Sequence, residues 1–307
     1  MIWIIYTLIS AFFFGIKDIL AKKVLNKDVK PIELVLEEFF ILFLILILFF
    51  FMKIDFYSYE TLWHLYLIKA LIVFITTELY FNLLEKYEIS TVTPLLNLSP
   101  IFLLLLSVIF LSEIISMVQF IGILVILFST YYLEIIIHHH DKENPHTHHF
   151  NLILNIKSIF FLFTTILLLT ISMTAILDKM ILEKTNVYTN MFFTSVTILI
   201  FLTGYYYKKH NLFQTISNMK KNNDLIIISL FTNISNFLIL FAIAIPTALV
   251  SLIVPLRRTS TVFSSLIGGL LFHEKHLFQK MISILMMLIG VFLIISNEIY
   301  PIINLVV

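Results

Sequence analysis

Long apolar runs separated by short polar breaks fill this chain almost from end to end. A helix that crosses the hydrocarbon core of a bilayer needs roughly 20 apolar residues. Runs of that kind lie at 2–23, 32–52, 62–84, 91–111, 115–137, 157–180, 187–207, 224–245, 247–271 and 277–297. They predict ten spanning helices, numbered here span 1 to span 10. Several breaks are short, such as Glu85–Ser90 and Pro246–Thr247. Tight breaks force the spans on either side into antiparallel hairpins.

The long polar segment is His138–Asn155, which contains HHHDKENPHTHH. It follows five spans and precedes five. The chain is therefore expected to divide into a first five-helix repeat (1–137), a polar His-rich linker (138–156) and a second five-helix repeat (157–307). Residues 90–113, STVTPLLNLSPIFLLLLSVIFLSE, lie over 251–274, SLIVPLRRTSTVFSSLIGGLLFHE, without a gap. They agree at Ser90/Ser251, Pro94/Pro255, Leu95/Leu256, Ser99/Ser260, Phe102/Phe263, Leu105/Leu266 and Glu113/Glu274. Ile19–Leu25 (ILAKKVL) likewise resembles Ile176–Leu182 (ILDKMIL), which pairs Lys22 with Lys179. Five is odd, so the second copy enters the membrane in the opposite sense, and the repeats are inverted. The expected fold class is an all-α integral membrane protein of ten transmembrane helices.

Composition agrees. The chain is 60% hydrophobic and 13% charged, with a mean hydropathy of +1.02. Average globular usage is about 45–50% apolar and about 25% charged. A soluble protein of this length cannot hide that much apolar surface, so lipid is its expected surroundings and the cell membrane its expected place. There is no cysteine, which excludes disulfides and thiolate metal sites. A net charge of +1 gives no reason to expect a nucleic-acid partner. Met1–Leu20 lacks a basic leader and a small-residue cleavage site, and reads as a retained first span.

Charge also suggests a sense of insertion. Let side A be the face of the loops after spans 1, 3, 5, 7 and 9. It carries twelve lysines, among them Lys22, Lys23, Lys86, Lys208 and Lys275, against Lys53 and Lys184 on side B. The positive-inside rule puts side A in the cytoplasm and both termini outside.

Ten spans in two inverted repeats, with a proline early and a glutamate at the end of spans 4 and 9, resemble the EamA branch of the drug/metabolite transporter superfamily. The run Gly268-Gly269-Leu270-Leu271-Phe272-His273-Glu274-Lys275 is similar to that family's helix-ending signature. The resemblance covers essentially the whole chain. It implies a carrier of small metabolites that works by alternating access, often as an exporter. Familiar ten-span members have both termini in the cytoplasm, which the lysine bias here reverses.

Ionisable residues inside a span are expensive and are functional suspects by default. Lys17 and Asp18 lie about six residues, or ~9 Å, inside the A end of span 1. Glu37 and Glu38 lie at similar depth on span 2, Glu78 and Asn82 on span 3, and Asn97 on span 4. They read either as a polar cavity, with Lys17 paired to Glu37 or Glu38 and Glu78 titrating to couple protons, or as a structural salt bridge with snorkelling ends. Arg257 and Arg258 sit near the middle of span 9. Neighbours on a helix point roughly 100° apart, so at most one points straight into a central cavity. A guanidinium fork suits carboxylate or phosphate; the other reading is an ion pair that locks the bundle. Asn233 and Asn236 share a face of span 8 and either bind ligand or join helices.

Other polar groups read as structural. Glu113 and Glu274 are expected to accept backbone N–H groups at the start of the following helix. Lys22 and Lys179 are expected to snorkel as end anchors. Pro94 and Pro255 bend their helices, and Gly122, Gly290, Gly268 and Gly269 allow close helix contact. The histidine run reads as a solvated linker, with no defined metal site and no cofactor expected.

The sequence therefore points to a secondary transporter of a small polar or zwitterionic metabolite such as an amino acid, as monomer or homodimer. The substrate-binding set is Lys17, Glu37, Glu38, Glu78, Asn82, Asn97, Asn236, Arg257 and Arg258. Alternatives are a carrier of an anionic or phosphorylated metabolite, and a divalent-metal carrier using Asp18, Glu37, Glu38 and Glu78. No HExxH, nucleophile elbow or phosphate loop occurs, so no enzyme activity is expected.

Overall fold

A computed structural model describes residues 2–25, 40–41, 44–45, 54–86, 99–140, 159–209, 223–260, 263, 282, 285–286, 288–294 and 296. All its regular elements among these residues are helices. They are α1 (Ile2–Leu25), α2 (Phe56–Lys86), α3 (Ser99–Leu111), α4 (Met117–His140), α5 (Ile159–Leu182), α6 (Val187–Lys209), α7 (Asn223–Ala244) and α8 (Val250–Arg257). They correspond to spans 1, 3, 4, 5, 6, 7, 8 and 9. Span 2 lies largely outside the described residues, and span 10 is described in part. Four helices are long and apolar enough to cross a membrane: Ile2–Ala21, Phe56–Thr76, Leu162–Leu182 and Asp224–Ala244.

Caps explain where several helices begin. Asp55 accepts the N–H groups of Tyr57 (3.0 Å) and Ser58 (3.4 Å), so α2 starts six residues before the apolar run expected at 62. Ser116 and Gln119 form a reciprocal capping box ahead of α4: Gln119 N donates to Ser116 Oγ, and Ser116 N donates to Gln119 Oε1. Asn186 takes Thr189 N at 2.9 Å and opens α6.

Helix α1 packs along α7, α2 packs on α5 and α6, and α3 packs on α5. The main core brings together Trp3, Tyr66, Leu103, Ile126, Ile176 and Ile253, each almost wholly buried. The outward faces are apolar. Phe128 and Phe292 are each 66% exposed, as suits side chains that meet lipid. Gly122 on α4 and Gly290 in span 10 meet directly: a Cβ on Gly122 would lie 2.9 Å from the Gly290 carbonyl oxygen and 2.9 Å from Ile294 Cγ1. These two glycines do permit the close contact expected of them.

Candidate functional site

One face of α1 presents Ser10, Phe14 and Lys17, spaced four and three residues apart, so all three fall on one stripe. Ser10 binds α7: its hydroxyl donates to the Ser235 carbonyl at 2.8 Å, and Ser235 Oγ donates back to the Ser10 carbonyl at 2.9 Å. Two small residues let the backbones close to that range. One turn further on, Lys17 Nζ stands 4.1 Å from the centroid of the Phe14 ring. Arg257 Cζ, from α8, stands 4.6 Å from the same centroid. Its Nη2 donates to Asn236 Oδ1 at 2.9 Å and to Ser235 Oγ at 3.2 Å.

Arg258 goes elsewhere. Its Nη2 donates to Ser99 Oγ on α3 at 2.6 Å, and the Ser99 carbonyl accepts Ser172 Oγ of α5 at 3.0 Å. The two arginines thus diverge, as the helical angle requires. The chain tightens where they sit. Pro255 has no N–H to give, and Arg258 N bonds both Val254 O (3.3 Å) and Pro255 O (3.0 Å). Thr259 N then bonds Leu256 O at 3.2 Å, so the helix narrows to i→i+3 turns beside the guanidinium groups.

Two cations stand on one ring between α1, α7 and α8. Each cation–π contact contributes ~0.5–2 kcal/mol depending on desolvation. Of the residues expected at the site, the structure brings Lys17, Asn236 and Arg257 together around Phe14 and Ser235, and places Arg258 on the α3 side. Glu37, Glu38 and Asn97 lie outside the described residues, as do the side chains of Asp18, Glu78 and Asn82. The pairing of Lys17 with Glu37 or Glu38 falls there too.

A second polar cluster was not anticipated. Lys69, 4% exposed and well inside α2, pairs with Asp178 of α5 at 2.5 Å. Its Nζ also donates to Asn190 Oδ1 (3.1 Å) and Thr194 Oγ1 (2.8 Å) on α6, and Asn190 Nδ2 donates to Asp178 Oδ1 at 3.0 Å. The three ammonium protons of Lys69 have three acceptors. The available signal was a lysine inside the apolar run of span 3 and an aspartate two residues from the end of span 6.

Two expected roles are corrected. Lys179 does not snorkel. It is 6% exposed, and its Nζ donates to the carbonyls of Ile243 (3.1 Å), Ile245 (3.1 Å) and Ala248 (3.2 Å). These carbonyls lie at the end of α7 and in the turn after it, where helical donors run out; Ile245 O also accepts Ala248 N at 3.0 Å, and the buried ammonium binds all three. Glu113 does accept backbone N–H groups at a helix start, but of α8 and not of the following helix α4. Val250 N reaches Oε1 at 2.6 Å and Ser251 N reaches Oε2 at 3.0 Å, with Ser251 Oγ in a further short bond to Oε2. Ser112 turns the chain with φ 52° and directs Glu113 away from α4, whose start the Ser116–Gln119 box already serves.

The family model described as the EamA-like transporter family matches this chain over residues 1–134 and again over 157–296. Comparison with the curated proteins gives no match.

Proposed function

We propose, for a chain that belongs to the EamA-like transporter family, that it is a secondary transporter of a small polar or zwitterionic metabolite such as an amino acid. Membrane transport follows from membership. The substrate class, the alternating-access cycle, the ten-helix count, the partition at 137 and 157, export, proton coupling and residence in the cell membrane are the proposal. One observation supports the substrate class above others: Lys17 and Arg257 meet on the Phe14 ring. A guanidinium fork and an ammonium on one ring suit a substrate carboxylate, and Asn236 and Ser235 hold the guanidinium in place. Its ammonium group is assigned to Glu37, Glu38 or Glu78, with Asn82 and Asn97 as further polar contacts.

The test is uptake into vesicles containing the purified protein, with amino acids, sugar phosphates and divalent cations offered separately. Amino-acid uptake that falls at least about tenfold in Arg257→Ala supports the reading, the factor matching loss of a charge-assisted contact of ~1.5–3 kcal/mol. Arg258→Ala and Glu78→Gln complete the set. Uptake of sugar phosphates alone selects the anionic reading, and normal transport by all three variants removes the assignment of the site.

A further inference from the structure

The turn between α7 and α8 is held by opposite charges from its two sides. Lys179 takes the carbonyls of Ile243, Ile245 and Ala248, at the negative end of α7. Glu113 takes the N–H groups of Val250 and Ser251, at the positive end of α8. Both side chains are buried, Glu113 at 7% exposure and Lys179 at 6%. A cavity of about 340 Å³ lies against them, lined also by Ser112, Glu183, Pro246 and Leu249.

The ownership of these residues matters. Lys179 and the turn belong to the second half of the chain. Glu113 belongs to the first, and it is aimed across by Ser112 in a left-handed conformation that costs a non-glycine residue roughly 1–2 kcal/mol. Glu113 therefore bonds one half to the other at one membrane face. Any motion that opens that face by separating the halves must break it. The sequence also writes the same residues twice. Glu113, Ser251 and Lys179 match Glu274, Ser90 and Lys22. Arg257 and Arg258, by contrast, match Leu96 and Asn97. The polar parts of this contact are repeated while Arg257 and Arg258 are not. In an inverted repeat, what serves one face in one copy serves the opposite face in the other.

We propose that Glu113, clamped on the α7–α8 turn that Lys179 braces from within its own half, forms the closure of one face of the carrier, engaged in the conformation seen here and released when that face opens. The inference rests on the alternating-access reading above. Closure fixes the start of α8 and so the register of Arg257 and Arg258 beneath it. Glu113 and Lys179 are positioning residues in this scheme and do not touch substrate.

The natural chain has no cysteine, so Ser107→Cys supplies a single thiol. Ser107 is fully buried on α3, six residues before Glu113. Its rate of reaction with a membrane-impermeant maleimide, added on the Glu113 face of oriented vesicles, reports opening of that face without any substrate. Glu113→Gln should raise the rate about tenfold or more, because charge-assisted bonds to two backbone donors are weakened only in the closed form. Glu274→Gln, at the matched position outside the described residues, should lower it. Ser251→Ala removes one bond and keeps the backbone caps, so it should raise the rate by less, and it decides the matter if Glu113→Gln does not insert. Unchanged labelling in Glu113→Gln and Ser251→Ala, or a change of the same sign in Glu113→Gln and Glu274→Gln, overturns the closure and leaves an ordinary helix cap. Normal amino-acid transport with unresponsive labelling removes the closure alone. Responsive labelling without amino-acid uptake removes only the substrate reading.

Discussion

Ser10 and Ser235 exchange hydroxyl–carbonyl hydrogen bonds across α1 and α7, at 2.8 and 2.9 Å, with their two Oγ atoms 3.0 Å apart. This pair sets how closely the helix carrying Lys17 approaches the helix carrying Asn236. Interhelical bonds of this type average about 0.6 kcal/mol in membranes. Ser10→Ala with Ser235→Ala should therefore lower the thermal midpoint in detergent only slightly. Ser10→Leu, which wedges the backbones apart, should lower it far more and reduce transport as well. Equal effects from the alanine and leucine variants would contradict the role given to close approach.

Lys69→Met leaves Asp178 buried without its cation. The expected loss is about 3–5 kcal/mol, seen as a large fall in folded yield and thermal midpoint. Lys69→Met with Asp178→Leu should recover most of it, since replacing a whole buried pair by apolar groups is often nearly neutral. A double variant no more stable than the single one argues against the ion pair as the source.

Phe14→Leu removes the ring beneath both Lys17 and Arg257 while keeping apolar bulk. Losing a contact of ~1 kcal/mol should weaken apparent substrate affinity roughly fivefold, with Phe14→Trp close to the natural chain. Uptake measured against substrate concentration separates the two.

Gly122→Ile places a Cβ 2.9 Å from the Gly290 carbonyl and from Ile294 Cγ1, so α4 and span 10 must part. A cost of about 1–3 kcal/mol is expected. The heat-aggregation midpoint of the purified protein checks it, with Gly204→Ala, which meets nothing within 4 Å, as the control for glycine replacement itself.

Orientation has its own test. The lysine distribution predicts a cytoplasmic linker and external termini. In intact cells a single cysteine at Thr247 should react with an impermeant reagent, and one at His146, outside the described residues, should not. The reverse pattern restores the orientation implied by the family resemblance.

The helices described here were legible because a spanning helix announces itself by length and apolarity alone. The start of α2 was not, since Asp55 extends that helix through polar residues that periodicity reads as loop. Arg257, Lys17 and Asn236 were legible as polar groups in apolar runs. Phe14 was hidden, because an aromatic among 31 phenylalanines carries no mark of the cations it will meet. Lys179 shows the opposite difficulty. A lysine near a helix end reads as an anchor to the interface, and only the fold brings three carbonyls from the end of α7 and the turn after it to this one. The partner of Glu113 is 137 residues away, a distance that local capping rules cannot see.

The Lys69–Asp178 pair exists in one copy. The position in the first half that corresponds to Asp178 is Ala21, which has no carboxylate to offer. Two copies of a unit that were chemically interchangeable would leave a carrier indifferent to which way it faces, with its inward and outward forms equally populated by symmetry alone. Here the reflection of the ion pair cannot be built. Under the alternating-access cycle proposed above, the two facing directions therefore differ in free energy before any substrate or gradient is applied, and an empty carrier has a resting side.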